Sequence, residues 1–150
     1  MHARQQIRDA VVTALTGLDI TGSNVFKTRV HRFEEETLPA LSVYTLQEDS
    51  ERETMGTRAQ SRTVSIAVDI AVQQNTTPDD TLDDIAADVE AAMVAAWTGA
   101  SGIWGSIRNL TLTSTVVRMT GEGEQPTFGM ILTYACNYST LEGAPETIIT

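Results

Sequence analysis

Two stretches of apolar/polar alternation, residues 63–72 and 128–138, flank an Ala/Asp-rich run of helical character at 79–97. In the first, Val64, Ile66, Val68, Ile70 and Val72 share one face, while Ser65, Ala67, Asp69 and Ala71 share the other. That is the period-two signature of a half-buried strand. A strand with one wet face belongs in an antiparallel or mixed sheet covered on one side only. In the second alternation Met130, Leu132, Tyr134 and Cys136 hold the apolar parity. Between the two, Leu82, Ile85, Val89, Met93 and Trp97 form one stripe at helical spacing, and Ala86, Ala92 and Ala96 let it approach a sheet closely.

Extending this reading along the chain predicts a single α+β domain over 1–150, in the order α-β-β-β-α-β-β, with two helices packed on one face of an antiparallel or mixed sheet. Ile7, Val11, Ala14, Leu15 and Leu18 mark a first amphipathic helix that Gly17 or Gly22 ends. A short strand follows at 25–30. The acidic turn Glu34, Glu35, Glu36 then leads into a strand at 38–46, with Pro39 at its start, where no ladder hydrogen bond is needed. Apolar residues nearly vanish from 47 to 61, which reads as a long polar hairpin loop. Thr77, Pro78, Asp79 and Asp80 read as an N-cap, a proline at the first helical position and two carboxylates on the positive end of the helix dipole. Residues 99–102 end that helix. Residues 110–120 and 127–139 form a hairpin around the Gly/Glu turn at 121–126, and 141–150 is an extended C-terminal tail.

Composition removes several classes of function. No apolar stretch approaches the roughly 18 residues of a spanning helix, and the N-terminus lacks the apolar core of a signal peptide, so a soluble protein made in the cytosol is expected. The net charge is −10, unevenly spread: residues 1–63 hold eight basic and nine acidic side chains (8 − 9 = −1), and residues 64–150 hold two and eleven (2 − 11 = −9). A chain without a basic stripe does not displace counterions from a nucleic acid, so sequence-specific nucleic-acid binding is not expected. An acidic surface suits a basic protein partner, or solubility alone.

No residues assemble into a catalytic, cofactor-binding or metal-binding set. Cys136, the only cysteine, sits on the apolar parity, and the two histidines, His2 and His31, fall at the terminus and beside an early strand. Glu34, Glu35 and Glu36 are adjacent in a polar turn, whereas acid/base pairs need one carboxyl in an apolar pocket. The 121–126 turn has no following helix to lend its N-terminus to a phosphate.

The candidates that remain are contacts. Asp80, Asp84 and Asp88 repeat every four residues on one helix stripe, at a cost of a few tenths of a kcal/mol per like-charge pair. A solvated face, a docking surface for a basic partner and a divalent-metal site all account for them. The metal reading is weakest, because successive turns of one rigid helix cannot wrap a hard cation. In the 47–61 segment Glu48, Asp49, Glu51, Arg52, Glu53 and Arg58 carry mixed charge that a partner would complete. Trp97 and Trp104 are either core or subunit anchors.

The element order, residues 38–45, the helix opening at 81–90, and residues 114–140 with their Gly-Glu turn and closing Cys-Asn-Tyr-Ser-Thr resemble the tail-terminator family of long-tailed bacteriophages, the group that includes minor tail protein U. The resemblance implies a virion protein, assembled in the host cytoplasm, that forms a homo-oligomeric ring, a hexamer by analogy, on the head-proximal end of the tail tube. Such a ring stops tube polymerisation at the neck and joins tail to head. The partners it implies are further copies of the chain, the tail tube protein and the head-completion protein, with no cofactor and no catalytic residue. A head-completion or stopper connector of the same neck is the alternative reading. An enzyme would instead need converging ionisable groups, and a ligand-binding module a large apolar cavity.

Overall fold

The computed structural model describes residues 1–27, 38–73, 77–120 and 127–150. The acidic turn Glu34–Glu36, His31 and the 121–126 turn lie outside the described residues. The elements in chain order are α1 (Ala3–Leu15), β1 (Val25–Phe26), β2 (Ala40–Arg52), β3 (Ala59–Gln73), α2 (Pro78–Gly99), a short 3-10 helix (Gly102–Ser106), β4 (Asn109–Thr120), β5 (Thr127–Leu141) and β6 (Ala144–Ile149).

The strands form one mixed sheet in the order β1-β2-β3-β5-β4. Only β1 runs parallel to its neighbour, pairing at Leu41 and Ser42. Strands β3 and β5 pair along their whole length, from Ala59 opposite Leu141 to Gln73 opposite Thr127. Beyond Asn137, where β4 ends its pairing, β6 takes over that same side of β5, with Ser139 opposite Ile149. Within 141–150, expected as an extended tail, Ala144–Ile149 is a strand docked on β5. Ile148 packs against the core, and the side-chain amide of Gln6 on α1 donates to the Glu146 carbonyl at 2.8 Å.

Both helices cover one face of the sheet, as the alternations require. Ile7, Val11 and Leu15 of α1 and Leu82, Ile85, Val89 and Met93 of α2 are buried against Leu41 and Val43 of β2, Val64 to Val72 of β3, and Met130 to Tyr138 of β5. Burying each such side chain contributes about 1.5–3 kcal/mol, which holds the layers together. In α1 the His2 ring nitrogen caps the first turn, accepting from the Arg4 amide at 3.2 Å, and Gly17 follows the last turn at φ 97°. In α2 Pro78 opens the helix as expected, but Thr77 is not a side-chain cap. Its backbone is left-handed (φ 43°, ψ 50°), whereas a cap hydroxyl reaches the second or third helical amide from an extended backbone. Trp104 is buried, and Trp97 donates its indole N–H to the Ile107 carbonyl at 3.2 Å, so both tryptophans belong to the packing around the helix end.

The long polar loop expected at 47–61 is a β-hairpin arm. Strand β2 continues to Arg52 and β3 resumes at Ala59, with the Glu53 amide donating to the Ala59 carbonyl across the turn. The inward parity of the arm holds Glu48, Ser50, Gln60 and Arg62 in place of apolar side chains, so no apolar parity marks it.

Candidate assembly surfaces

A register shift between Thr45 and Gln47 changes which parity of β2 faces the helices. Before it, Leu41 and Val43 point at the core. After it, Glu48 does, opposite Val64. The Glu48 side chain is only 7% exposed and gathers Arg4 at 2.7 Å, Arg62 at 3.1 Å and the Tyr138 hydroxyl, which donates to Oε1. Burial works to raise its carboxyl pKa, but the hydrogen bonds from Tyr138 and Arg4 outweigh it and hold the group below the usual glutamate value. Glu48 is thus a charged hub inside the fold, not a free contact.

Two further arm residues are also spent internally. Arg52 bonds Glu142 at 2.6 Å, and Glu53 accepts from Arg108 and from the Ser139 hydroxyl. The Glu142 amide completes the brace by donating to the Arg58 carbonyl at 2.8 Å. For Glu48, Arg52 and Glu53 the other half is thus supplied within the chain. Their mates come from α1, from β3 and β5, and from the segments flanking β4 and β6, all distant in sequence. What the arm keeps outward is Asp49, which accepts only from its neighbour Gln47, together with Glu51, the Arg58 side chain and Met55, 96% exposed at the tip.

On α2, Asp80 and Asp84 are exposed and Asp88 is half-buried. None of the three joins an ion pair among the described residues. Among those residues no group of three or more His, Cys, Asp or Glu side chains is placed to hold a metal ion.

The face of the sheet away from α1 and α2, expected to be wet, is buried at Ser42, Ala67, Asp69 and Ala71 and holds a site the sequence did not single out. Asp69, read as a residue of the wet face, is 5% exposed. Arg118 of β4 reaches it at 2.6 Å by lying across Gly129 of β5, where an added Cβ would sit 3.3 Å from the guanidinium Nε. The Tyr44 hydroxyl approaches the same oxygen at 3.4 Å. Burial pushes the Asp69 carboxyl up, and Arg118 and Tyr44 offset that only in part. The other oxygen, Oδ1, and the hydroxyl of its cross-strand neighbour Ser42 are buried with no hydrogen-bond partner among the described residues. The one available signal was Arg118 itself, one of two basic residues after position 63.

Among the described residues, two hollows of the surface stand out. One of about 370 Å³ opens beside Asp49, Glu51, Ser61 and Thr63, and one of about 470 Å³ lies between the ends of the helices, lined by Ala10, Thr13, Ala96 and Trp104. Cys136 is fully buried with its thiol pushed up to about 12, so it stays protonated and inert. Against this background of packing and contact surfaces, the family described as phage minor tail protein U matches residues 2–110. That span runs from the start of α1 through the arm and α2 to the second residue of β4. No curated protein matches the chain.

Proposed function

The chain belongs to the phage minor tail protein U family, a structural family of the virion tail, and on that premise we propose that it acts as a ring-forming tail terminator. In this reading several copies close on the head-proximal end of the tube, halt its growth and offer the head-completion protein its docking surface. The observation that carries it is the arm: a hairpin held just beside its turn by the Arg52–Glu142 and Arg108–Glu53 pairs, yet ending in an exposed Met55 with Glu51 and Arg58 also exposed near the turn. An exposed methionine on a turn that ion pairs hold in place suits insertion against another subunit.

A terminator must fit the tube on one face and refuse a further tube subunit on the other, so attraction and rejection are divided between two surfaces. The acidic stripe Asp80, Asp84, Asp88 supplies one surface of a single sign, and the arm tip supplies mixed character elsewhere. The test is a Met55→Asp variant, made in place of the wild-type protein in an assembling phage. Expected are tails of uncontrolled length seen by electron microscopy, with the purified variant as stable as its parent. Tails of normal length that fail only to join heads would favour the stopper reading. Normal, joined tails would remove the arm tip from the contact.

A further inference from the structure

Strand β4 is an outer strand, with β5 on one side and no second strand neighbour among the described residues. An open row of backbone N–H and C=O groups is a template for another strand, and natural edges are blunted by lysine, proline, a local bulge or a covering element. Between 114 and 120 these guards are missing. The stretch holds no lysine or proline, and the register shift lies before it, between Leu112 and Ser114. Its sole charge, Arg118, is drawn across Gly129 to Asp69. Val116, Val117 and Met119 are 53%, 52% and 63% exposed, on both faces of the strand. Such an edge is built to be paired.

The opposite edge of the same sheet has the complementary character. Strand β1 reaches only Leu41 and Ser42, so β2 from Leu46 to Arg52 has β3 as its sole strand neighbour among the described residues. Asp49 and Glu51 are exposed along it, as is Leu46 at 47%. Two β2 edges brought together would set these carboxylates against their own copies, which is unfavourable for directly opposed strands. Strand β4 carries no acidic residue over its whole length. There the carboxylates meet hydroxyls, apolar side chains and the region of Arg118, and Leu46 meets a valine-rich partner. The two free stretches, 46–52 and 114–120, also match in length.

We propose that the β2 edge of one copy pairs with the β4 edge of the next, extending one sheet from subunit to subunit. Because the two edges differ, the contact is head-to-tail, the type that repeats around a ring. Only that closure rests on the terminator reading; the pairing itself is a contact between two copies of the chain.

The buried, protonated Cys136 leaves engineered cysteines as the only reactive thiols. The test uses the purified full chain as Glu51→Cys, Val116→Cys and the double variant, treated with a short bifunctional maleimide and resolved on a denaturing gel. Neither single variant alone should give dimers, their equal mixture should give dimers, and the double variant should give a ladder. Adding Val117→Lys should lower the crosslinking yield about tenfold by placing a charge on the edge, with circular dichroism unchanged. Dimers from Val116→Cys alone would overturn the proposal in favour of symmetric β4 pairing. A mixture without crosslinks, or with crosslinks only to added tail-tube protein, would overturn it outright. Native mass measurement separates the two readings, since rings that form without these crosslinks keep the terminator and lose the edge contact.

Discussion

Arg118 and Asp69 meet at 2.6 Å across the intervening strand β5, joining the outer strand β4 to β3 on the sheet face away from α1 and α2. Replacing Arg118 by Met leaves a buried carboxylate without its counter-charge. The expected cost at neutral pH is about 1–3 kcal/mol in a denaturant titration, because one side of the pair is already half in water. The pH dependence has a definite sign. The folded Asp69 carboxyl lies above its ordinary 3.8, so its contribution to stability is greatest below that value and declines as pH rises through the folded pKa. Arg118→Met raises that pKa further. The deficit should therefore be full at neutral pH and small below pH 3.8, and a deficit independent of pH would show that Arg118 acts only by packing.

Gly129 is the gap through which that pair is made. An added Cβ would stand 3.3 Å from Arg118 Nε and 3.4 Å from its Cγ, so Gly129→Ala should cost about 1 kcal/mol by displacing the flexible arginine. In an Arg118→Met background the same substitution should cost markedly less. Equal costs in the two backgrounds of a double-mutant cycle would refute the link.

Glu48 has the opposite pH sign. Its folded carboxyl lies below 4.5, so its stabilisation is present above that value and is lost as pH falls through the depressed folded pKa. Glu48→Gln leaves Arg62, whose side chain is 12% exposed, without a charged partner, at an expected cost of about 2–3 kcal/mol at neutral pH. The gap between variant and parent should close as pH drops below 4.5, measured by thermal unfolding at a series of pH values.

Replacing Asp80, Asp84 and Asp88 together by Asn should change stability by less than about 1 kcal/mol, since relief of like-charge repulsion and loss of the favourable helix-dipole term act against each other. If the stripe docks a basic head protein, head joining should weaken most at low salt, where the lost attraction was strongest. Unchanged joining at all salt concentrations would leave the stripe as a solvated face.

Legibility in the sequence followed burial. The inward parity of β3 and β5 and the stripe of α2 were readable because Val64 to Val72, Met130 to Cys136 and Leu82 to Met93 repeat with the period of their element against one apolar layer. The arm was not readable, because Gln47 to Arg52 and Ala59 to Arg62 pair as strands whose inward parity holds Glu48, Ser50, Gln60 and Arg62, and period two leaves no trace where neither parity is apolar. Strand β6 hid behind Pro145, which an outer strand tolerates. Among the contact candidates, charge counting found Glu48, Arg52 and Glu53 but not their fate. Their mates Arg62, Tyr138, Ser139 and Glu142 become neighbours only through the β3–β5 register.

The register shift at Thr45 and Gln47 amounts to a single inserted position, Leu46. If the ladder instead ran on unbroken through Leu46, the arm would not merely slip by one pair; it would turn inside out. The carboxylate now sheltered beneath Arg4 would swing to the bare side, and its neighbours Gln47 and Asp49 would be driven against the greasy layer. One amino acid set aside from the ladder thereby decides which flank of the molecule wears its ornament of charge.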